Sequence, residues 1–115
     1  MDKKYVNLLK KYAKCVNFNN VLQENENIEI LYQDEKIRIE KIVSCGYFSP
    51  ENFWYDQSEK EYIYIALGEG GLEFEKEKIT LKKGDFYYIE PHKKHRVYYT
   101  STNPPCIWIC LFCSE

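Results

Sequence analysis

Residues 61–99 read EYIYIALGEGGLEFEKEKITLKKGDFYYIEPHKKHRVYY, and this stretch decides the fold. Short runs rich in tyrosine, isoleucine and phenylalanine alternate with polar residues, which is the pattern of half-buried β-strands. Turn-forming residues separate the runs at residues 68–71 (GEGG), at Gly84-Asp85 and at Glu90-Pro91. The stretch is therefore predicted to consist of short strands joined by tight turns.

The strand pattern continues on both sides of this stretch. Residues 28–42 alternate apolar and polar side chains, and residues 106–112 form a final apolar run. Together they predict about eight or nine short strands spaced roughly ten residues apart, which is typical of an all-β sandwich or barrel. Residues 1–16, by contrast, carry apolar side chains at helical spacing and predict a short amphipathic helix.

The composition limits the chain to one domain and to few functions. A length of 115 residues fits a single hydrophobic core. The 16 basic and 18 acidic side chains give a net charge of −2, and Arg38 and Arg96 are the only arginines. Because binding to a nucleic-acid backbone requires a concentrated positive field, no nucleic-acid partner is expected.

The sequence contains neither a membrane span nor a recognisable export signal. Its longest apolar run, residues 106–113, is far shorter than the roughly 20 residues needed to cross a bilayer. Lysines interrupt the N-terminal segment, so it lacks the apolar centre of a signal peptide. The five cysteines show no disulfide framework and are expected to be free thiols in a reducing compartment. We therefore expect a cytoplasmic protein without membrane contact.

Two motifs resemble those of the cupins, a family of small jelly-roll barrels. Glu61 is followed by Gly68 in EYIYIALG, as at the end of the first cupin motif. Gly84 opens GDFYYIEPHKKH, which ends on His95 as the second motif does. The resemblance implies an all-β fold, a cupin jelly-roll β-barrel (double-stranded β-helix) with a short N-terminal helix. It divides the chain into a helical segment, residues 1–20, and one cupin domain, residues 21–115.

The resemblance also implies a ligand site. Glu61 and His95 match metal ligands of the family. The two histidine positions of the first motif hold Tyr55 and Gln57 if three residues precede Glu61, or Trp54 and Asp56 if four precede it. Gln57, Glu61 and His95 are therefore the implied metal ligands, and such nitrogen and oxygen donors suit Zn, Fe, Mn or Ni. The alternative is a pocket without a cofactor, in which hydrogen bonds to His95, or to Tyr55 and Tyr99, satisfy Glu61.

Alternation along the strands supports a shared site. Side chains two residues apart lie on one face of a strand, so Gln57 and Glu61 should point into the barrel together with Ile63. By the same rule, His95 and Tyr99 share a face. A carboxylate and an imidazole would then meet at the mouth of an apolar barrel, where the ligand sites of small barrels usually lie.

Two classes of function fit this site, and a small molecule is the expected partner in both. As an enzyme, a divalent-metal-dependent cupin would carry out oxygenase, isomerase or lyase chemistry on a small polar metabolite. His92, Tyr55 and Tyr99 would then move protons. The alternative is a non-catalytic ligand-binding or sensing module without metal.

The aromatic side chains predict an oligomer. Their share of 17% is more than the interior of a small barrel holds. If Ile63 faces inward, Tyr62 and Tyr64 face outward, and an outward aromatic face is often a contact between subunits. A homodimer is therefore expected.

Overall fold

Eight β-strands in two antiparallel sheets make up the part of the chain that a computed structural model describes, residues 26–114. The larger sheet has the order β1-β2-β8-β3-β6 and the smaller sheet the order β5-β4-β7. The strands are β1 (Glu26–Gln33), β2 (Ile37–Ser44), β3 (Lys60–Leu67), β4 (Glu69–Phe74), β5 (Lys78–Lys82), β6 (Phe86–Ile89), β7 (His95–Thr100) and β8 (Cys106–Cys113).

Strand β8 lies at the centre of the larger sheet and pairs with both β2 and β3. Its sequence, CIWICLFC, is apolar at every position because both faces of the strand are largely covered. Trp108 and Cys110 belong to the core between the sheets, whereas Ile107 belongs to a second apolar cluster with Val43 and Ala66. β-Branched and aromatic residues favour such a covered, pleated position.

The main core lies between the two sheets. Ile63 and Ile65 of β3 are 2% and 0% exposed, and they belong to one cluster with Leu72 of β4 and Val97 of β7. Burial of each of these side chains stabilises the fold by about 1.5–3 kcal/mol. The alternation expected for β3 is present, because Glu61 is buried together with Ile63 and Ile65.

Gly68 takes the chain from the larger sheet into the smaller one. Its φ of +67° lies in the left-handed region, which glycine adopts without the steric cost that a side chain adds. A Cβ atom at this position would overlap the carbonyl oxygen of Pro105. Glycine is therefore required both by the backbone conformation and by the close approach of the loop before β8.

The predicted all-β class is confirmed, but the closed barrel is wrong. No strand of one sheet pairs with a strand of the other within residues 26–114, so the molecule is an open jelly-roll sandwich. At the corner near Gly68, Ile65 exchanges backbone hydrogen bonds of 3.0 and 2.8 Å with Asp85 and Gly84. Residues of a turn thus satisfy the backbone N–H and C=O of Ile65, which in a closed barrel would bond to a neighbouring strand. The predicted N-terminal helix and the boundary at residue 20 lie outside the described residues.

The cysteines depart from expectation at one position. Cys106, Cys110 and Cys113 are free thiols, but Cys45 is disulfide-bonded. Burial raises the pKa of the Cys106 and Cys110 thiols, so both stay protonated and unreactive at neutral pH. In the described part of the chain there is no helix with the length and apolarity needed to cross a membrane.

Candidate functional site

A cavity of about 110 Å³ lies between the two sheets, near the first residues of β3 and β7. Its walls are mostly apolar, with contributions from Ile63, Leu72 and Trp108. An apolar cavity with a few convergent polar groups is the usual form of a small-molecule site. Trp108 and Cys110 contribute mainly apolar surface to the lining. The other polar or ionisable side chains that line the cavity are Glu26, Glu40, Tyr55, Gln57, Glu61 and His95.

Glu61 is the central carboxylate of the pocket. It lies on β3 between Ile89 of β6 and Phe112 of β8, and only 6% of its surface is exposed. The amide Nε2 of Gln57 donates a hydrogen bond of 2.8 Å to its Oε1 atom, and the thiol of Cys110 donates a second hydrogen bond to this carboxylate. These donors offset part of the cost of burying a charge.

His95 faces Glu61 from the opposite sheet. The backbone of His95 pairs with that of Tyr55 through hydrogen bonds of 2.7 and 3.1 Å, and the two rings stack at 5.4 Å. Its Nδ1 atom lies 2.8 Å from the carbonyl oxygen of Lys93, and because a carbonyl only accepts, Nδ1 carries the hydrogen. In neutral His95 the Nε2 atom is therefore an acceptor, and it lies 3.5 Å from Oε1 of Glu61.

Glu26 and Glu40 also line the pocket, and the sequence did not single them out. Ser44 Oγ accepts a hydrogen bond of 3.1 Å from the indole of Trp108 and lies 3.5 Å from Oε2 of Glu26. Burial raises the pKa of Glu26, and the charge of Glu40 raises it further. Alternation along β1 and β2 places Glu26 on one face with Ile28, and Glu40 with Ile42, but it does not tell which face points inward.

Tyr55 lies at the pocket wall as a hydrogen-bonding group. A side-chain hydrogen bond joins it to Tyr47. Burial raises the pKa of Tyr55 well above its ordinary value, and the nearby charges of Glu26 and Glu61 act in the same direction. The phenol therefore keeps its proton at neutral pH and acts as a donor rather than as a base.

The other two candidate proton carriers, His92 and Tyr99, do not line this pocket. The side chain of His92 is 68% exposed, and its Nδ1 atom donates to Asp56 at 2.8 Å. Tyr99 is 38% exposed and donates to Glu69 at 2.9 Å. The expectation that Tyr99 shares a face with His95 is wrong, because a register shift in the pairing of β7 with β4 inserts one residue, Tyr98, and reverses the alternation.

The three implied metal ligands do lie together, but they do not fit a resident metal ion. Glu61 and His95 are close enough to share an ion, with 3.5 Å between Oε1 and Nε2. Gln57, however, directs its amide nitrogen at Glu61, and an amide NH₂ is not a metal ligand. No group of three or more histidine, cysteine or acidic side chains suited to a metal occurs within the described residues. Metal sites of this kind use three or more protein ligands.

The fold and the pocket define a class of small antiparallel β-sandwich with a cavity between its two sheets. Residues 46–112 match the family model of the cupin domain, and the chain belongs to the cupin family. The family that the two sequence motifs predicted is thus confirmed. No curated protein matches the sequence.

Solved structures of other cupins share the fold. A candidate mannose-6-phosphate isomerase from Ralstonia eutropha JMP134 is 28% identical with a TM-score of 0.76, over 86% of this chain and 96% of that one. A cupin superfamily protein from Desulfitobacterium hafniense DCB-2 is 16% identical with a TM-score of 0.69, over 81% of each chain. The cupin domain of an XRE-family transcriptional regulator from Enterobacter cloacae is 18% identical with a TM-score of 0.68, over 80% of this chain and 99% of that one. The last two similarities concern the fold alone.

Proposed function

We propose that this cupin binds a small hydrogen-bond-donating molecule between its sheets, with Glu61 and His95 as the main polar contacts and without a resident metal. The observation that carries the proposal is that Nε2 of His95 and the carboxylate of Glu61 face each other. Nδ1 of His95 donates to the carbonyl of Lys93, which leaves Nε2 as the ring atom that faces the Glu61 carboxylate, 3.5 Å away. When the ring is neutral, both are acceptors, and a ligand N–H or O–H between them satisfies both.

A panel of small molecules tests ligand binding. The thermal unfolding midpoint of the protein is measured with polyols, amines, carboxylates and phosphate esters, each in the millimolar range. At a concentration of about 100 Kd, a ligand adds about 2.7 kcal/mol to the free energy of unfolding. We expect at least one compound to raise the midpoint of the parent and to lose this effect in Glu61→Gln and His95→Gln. A panel without effect, or an effect that both variants keep, would contradict the proposal.

Elemental analysis tests whether a metal is needed. The protein is purified without a metal-affinity tag, and the parent is compared with Glu61→Gln and His95→Gln. We expect far less than one metal ion per chain in all three. One Zn, Fe, Mn or Ni per chain in the parent, absent from both variants, would overturn the metal-free site.

Proton-transfer catalysis is a second candidate function, and the geometry of His95 favours it. Neutral His95 can accept a ligand proton at Nε2 while Nδ1 remains bonded to Lys93, and Glu61 stabilises the resulting imidazolium. The 28% identical protein from Ralstonia is a candidate isomerase, a reaction class that moves protons. Exchange of a carbon-bound hydrogen of the bound molecule with deuterium oxide, followed by NMR, measures this activity. Exchange that His95→Gln leaves unchanged would exclude His95 as the base.

The outer face of the larger sheet is the proposed contact between two copies of the chain. A groove lined by Tyr62, Tyr64, Phe86, Ile109 and Leu111 runs across this face. Tyr64 is 42% exposed and Phe86 is 63% exposed. Apolar and aromatic side chains of this kind are typical of the centre of a subunit interface, and a second copy would match the face by two-fold symmetry.

A further inference from the structure

The charge of the pocket lining is almost entirely negative. Among residues 26–114, Glu26, Glu40 and Glu61 line the pocket, His95 is the one basic side chain in the lining, and no lysine or arginine lines it. We propose that the pocket selects small organic cations, namely amines and methylated ammonium compounds, over neutral or anionic molecules of the same size. The proposal rests on the ligand-binding function proposed above and names the class of ligand.

Arg38 neutralises the pocket only in part. Arg38 donates from Nε to Glu40 at 2.8 Å, and both terminal nitrogens donate to Glu59 at 3.1 Å. One cation is thus shared between two carboxylates, and Glu59 lies outside the lining. Within residues 26–114, the polar contact of Glu26 is Ser44, and those of Glu61 are Gln57, Cys110 and His95, so neither acid contacts a lysine or arginine there.

The positions of the acids give a bound cation strong interactions. Glu61 is 6% exposed, and its contacts with Gln57 and Cys110 are neutral hydrogen bonds that leave the charge in place. Charges interact more strongly in such a water-poor site than at the surface. The pKa of Glu26 is raised because burial and the nearby charge of Glu40 both disfavour its ionised form. An organic cation supplies the opposite charge that this group of carboxylates lacks.

The Nε2 atom of His95 points to the same ligand. His95 is 4% exposed, and Nε2 faces Oε1 of Glu61 at 3.5 Å. A protonated amine fits between this nitrogen and the Glu61 carboxylate, because two of its N–H groups can donate one to each. A quaternary ammonium group has no N–H and would interact there through its charge alone. An anion meets two acceptors there, and a phosphate finds no cationic side chain in the lining.

The walls and size of the pocket suit a compact ammonium group. Tyr55 and Trp108 line it with aromatic rings, which attract cations placed over their faces. A cavity of roughly 150 Å³ accommodates benzene. The pocket of about 110 Å³ therefore takes a head group of a few heavy atoms, with the remainder of a longer ligand at the opening.

Two probes of the same shape test the inference. Choline and its uncharged isostere 3,3-dimethylbutan-1-ol differ in one charge, and ethylamine, acetate and inorganic phosphate complete the set. Calorimetric titration of the 115-residue chain at low salt measures each affinity. We expect choline or ethylamine to bind at least about tenfold more tightly than the isostere, with no binding of either anion. Glu26→Gln and Glu61→Gln should each weaken cation binding about fivefold or more, while the affinity for the isostere stays within about twofold.

Glu35→Gln is the matched control. It removes the same charge from the exposed turn between β1 and β2, so it should leave the affinity for cations within about twofold. Equal affinities for choline, ethylamine and the isostere, binding of acetate or phosphate in the pocket, or an equal loss in Glu35→Gln would overturn the cation inference. Binding of a neutral polyol that depends on Glu61 and His95 would overturn it while leaving the proposed function intact. If no molecule of either panel binds, the proposed function itself fails.

Discussion

The buried hydrogen bond between Trp108 and Ser44 anchors the polar network that holds Glu26 at the pocket. Trp108 Nε1 donates to Ser44 Oγ at 3.1 Å, and the two residues are 3% and 0% exposed. In Ser44→Ala, the indole N–H stays buried without its acceptor, which should lower the free energy of unfolding by about 1–3 kcal/mol. Trp108→Phe removes the donor and part of a buried ring, and a loss of about 2–3 kcal/mol is expected.

The double variant separates the hydrogen bond from the packing. When Ser44→Ala and Trp108→Phe are combined, no buried N–H remains without a partner, so the loss should be about 1–2 kcal/mol smaller than the sum of the single losses. Urea unfolding followed by far-UV circular dichroism measures the three free energies, and equal m-values show that the unfolding reactions are comparable. If the loss in the double variant equals the sum of the two single losses to within about 0.5 kcal/mol, the hydrogen bond is refuted, and with it the anchoring of Glu26 through Ser44.

Three further predictions concern charge and assembly. Arg38→Gln removes the cation beside Glu40 and should tighten choline binding about threefold relative to Arg38→Lys in calorimetry, whereas equal binding counts against the electrostatic argument. Because the folded pKa of Glu26 is raised above its ordinary 4.5, its contribution to stability is complete below pH 4.5 and is lost as the pH rises through the folded value. Glu26→Gln should therefore remove this fall in the free energy of unfolding with rising pH, as measured by urea unfolding at several pH values. The same fall in the variant as in the parent would contradict the burial of Glu26. Tyr64→Lys with Phe86→Lys should yield monomers in size-exclusion chromatography with light scattering, and a parent already monomeric at micromolar concentration contradicts the dimer.

The sequence was most informative where the strands alternate without interruption. Along β3, period-two alternation placed Glu61 on the same face as Ile63 and Ile65, and all three are buried. The second motif contributed His95, which the fold brings to 3.5 Å from Glu61 although 34 positions separate the two in the chain. These features depend on local patterns that each strand carries in its own residues.

The alternation failed where the backbone gains a residue. Gly71 pairs with Tyr99, and the next residue, Leu72, pairs with Val97, so Tyr98 is the extra residue in β7. The side chains on either side of it exchange faces, and Tyr99 points away from the pocket that Val97 lines. Nothing in the run HRVYYT marks the bulge, because the space it needs is provided by Gly71 on another strand, where a Cβ atom would overlap the ring of Tyr98.

Glu26 of β1 and Glu40 of β2 could not be predicted as pocket residues, for a different reason. Both strands alternate clearly, but both of their faces carry a mixture of apolar and charged residues. Glu40 and Ile42 face the pocket, while Lys41 and Val43 are buried on the opposite face. The choice of inward face depends on where β8 pairs, since the register Glu40↔Cys110 aligns Glu40 with an inward residue of β8. That register is a long-range property of the folded sheet.

Gln57 supplies a partner that lets Glu61 stay buried in the proposed metal-free pocket. The cupin pattern has a histidine at this position, and a metal bound there would supply the positive charge that a buried carboxylate needs. Glutamine supplies an N–H instead, which donates to Oε1 of Glu61 at 2.8 Å. Because an amide is neutral, the carboxylate stays partnered but its charge is not cancelled. Glutamine at this position thus fits the proposal that a donating or cationic ligand binds between Glu61 and His95.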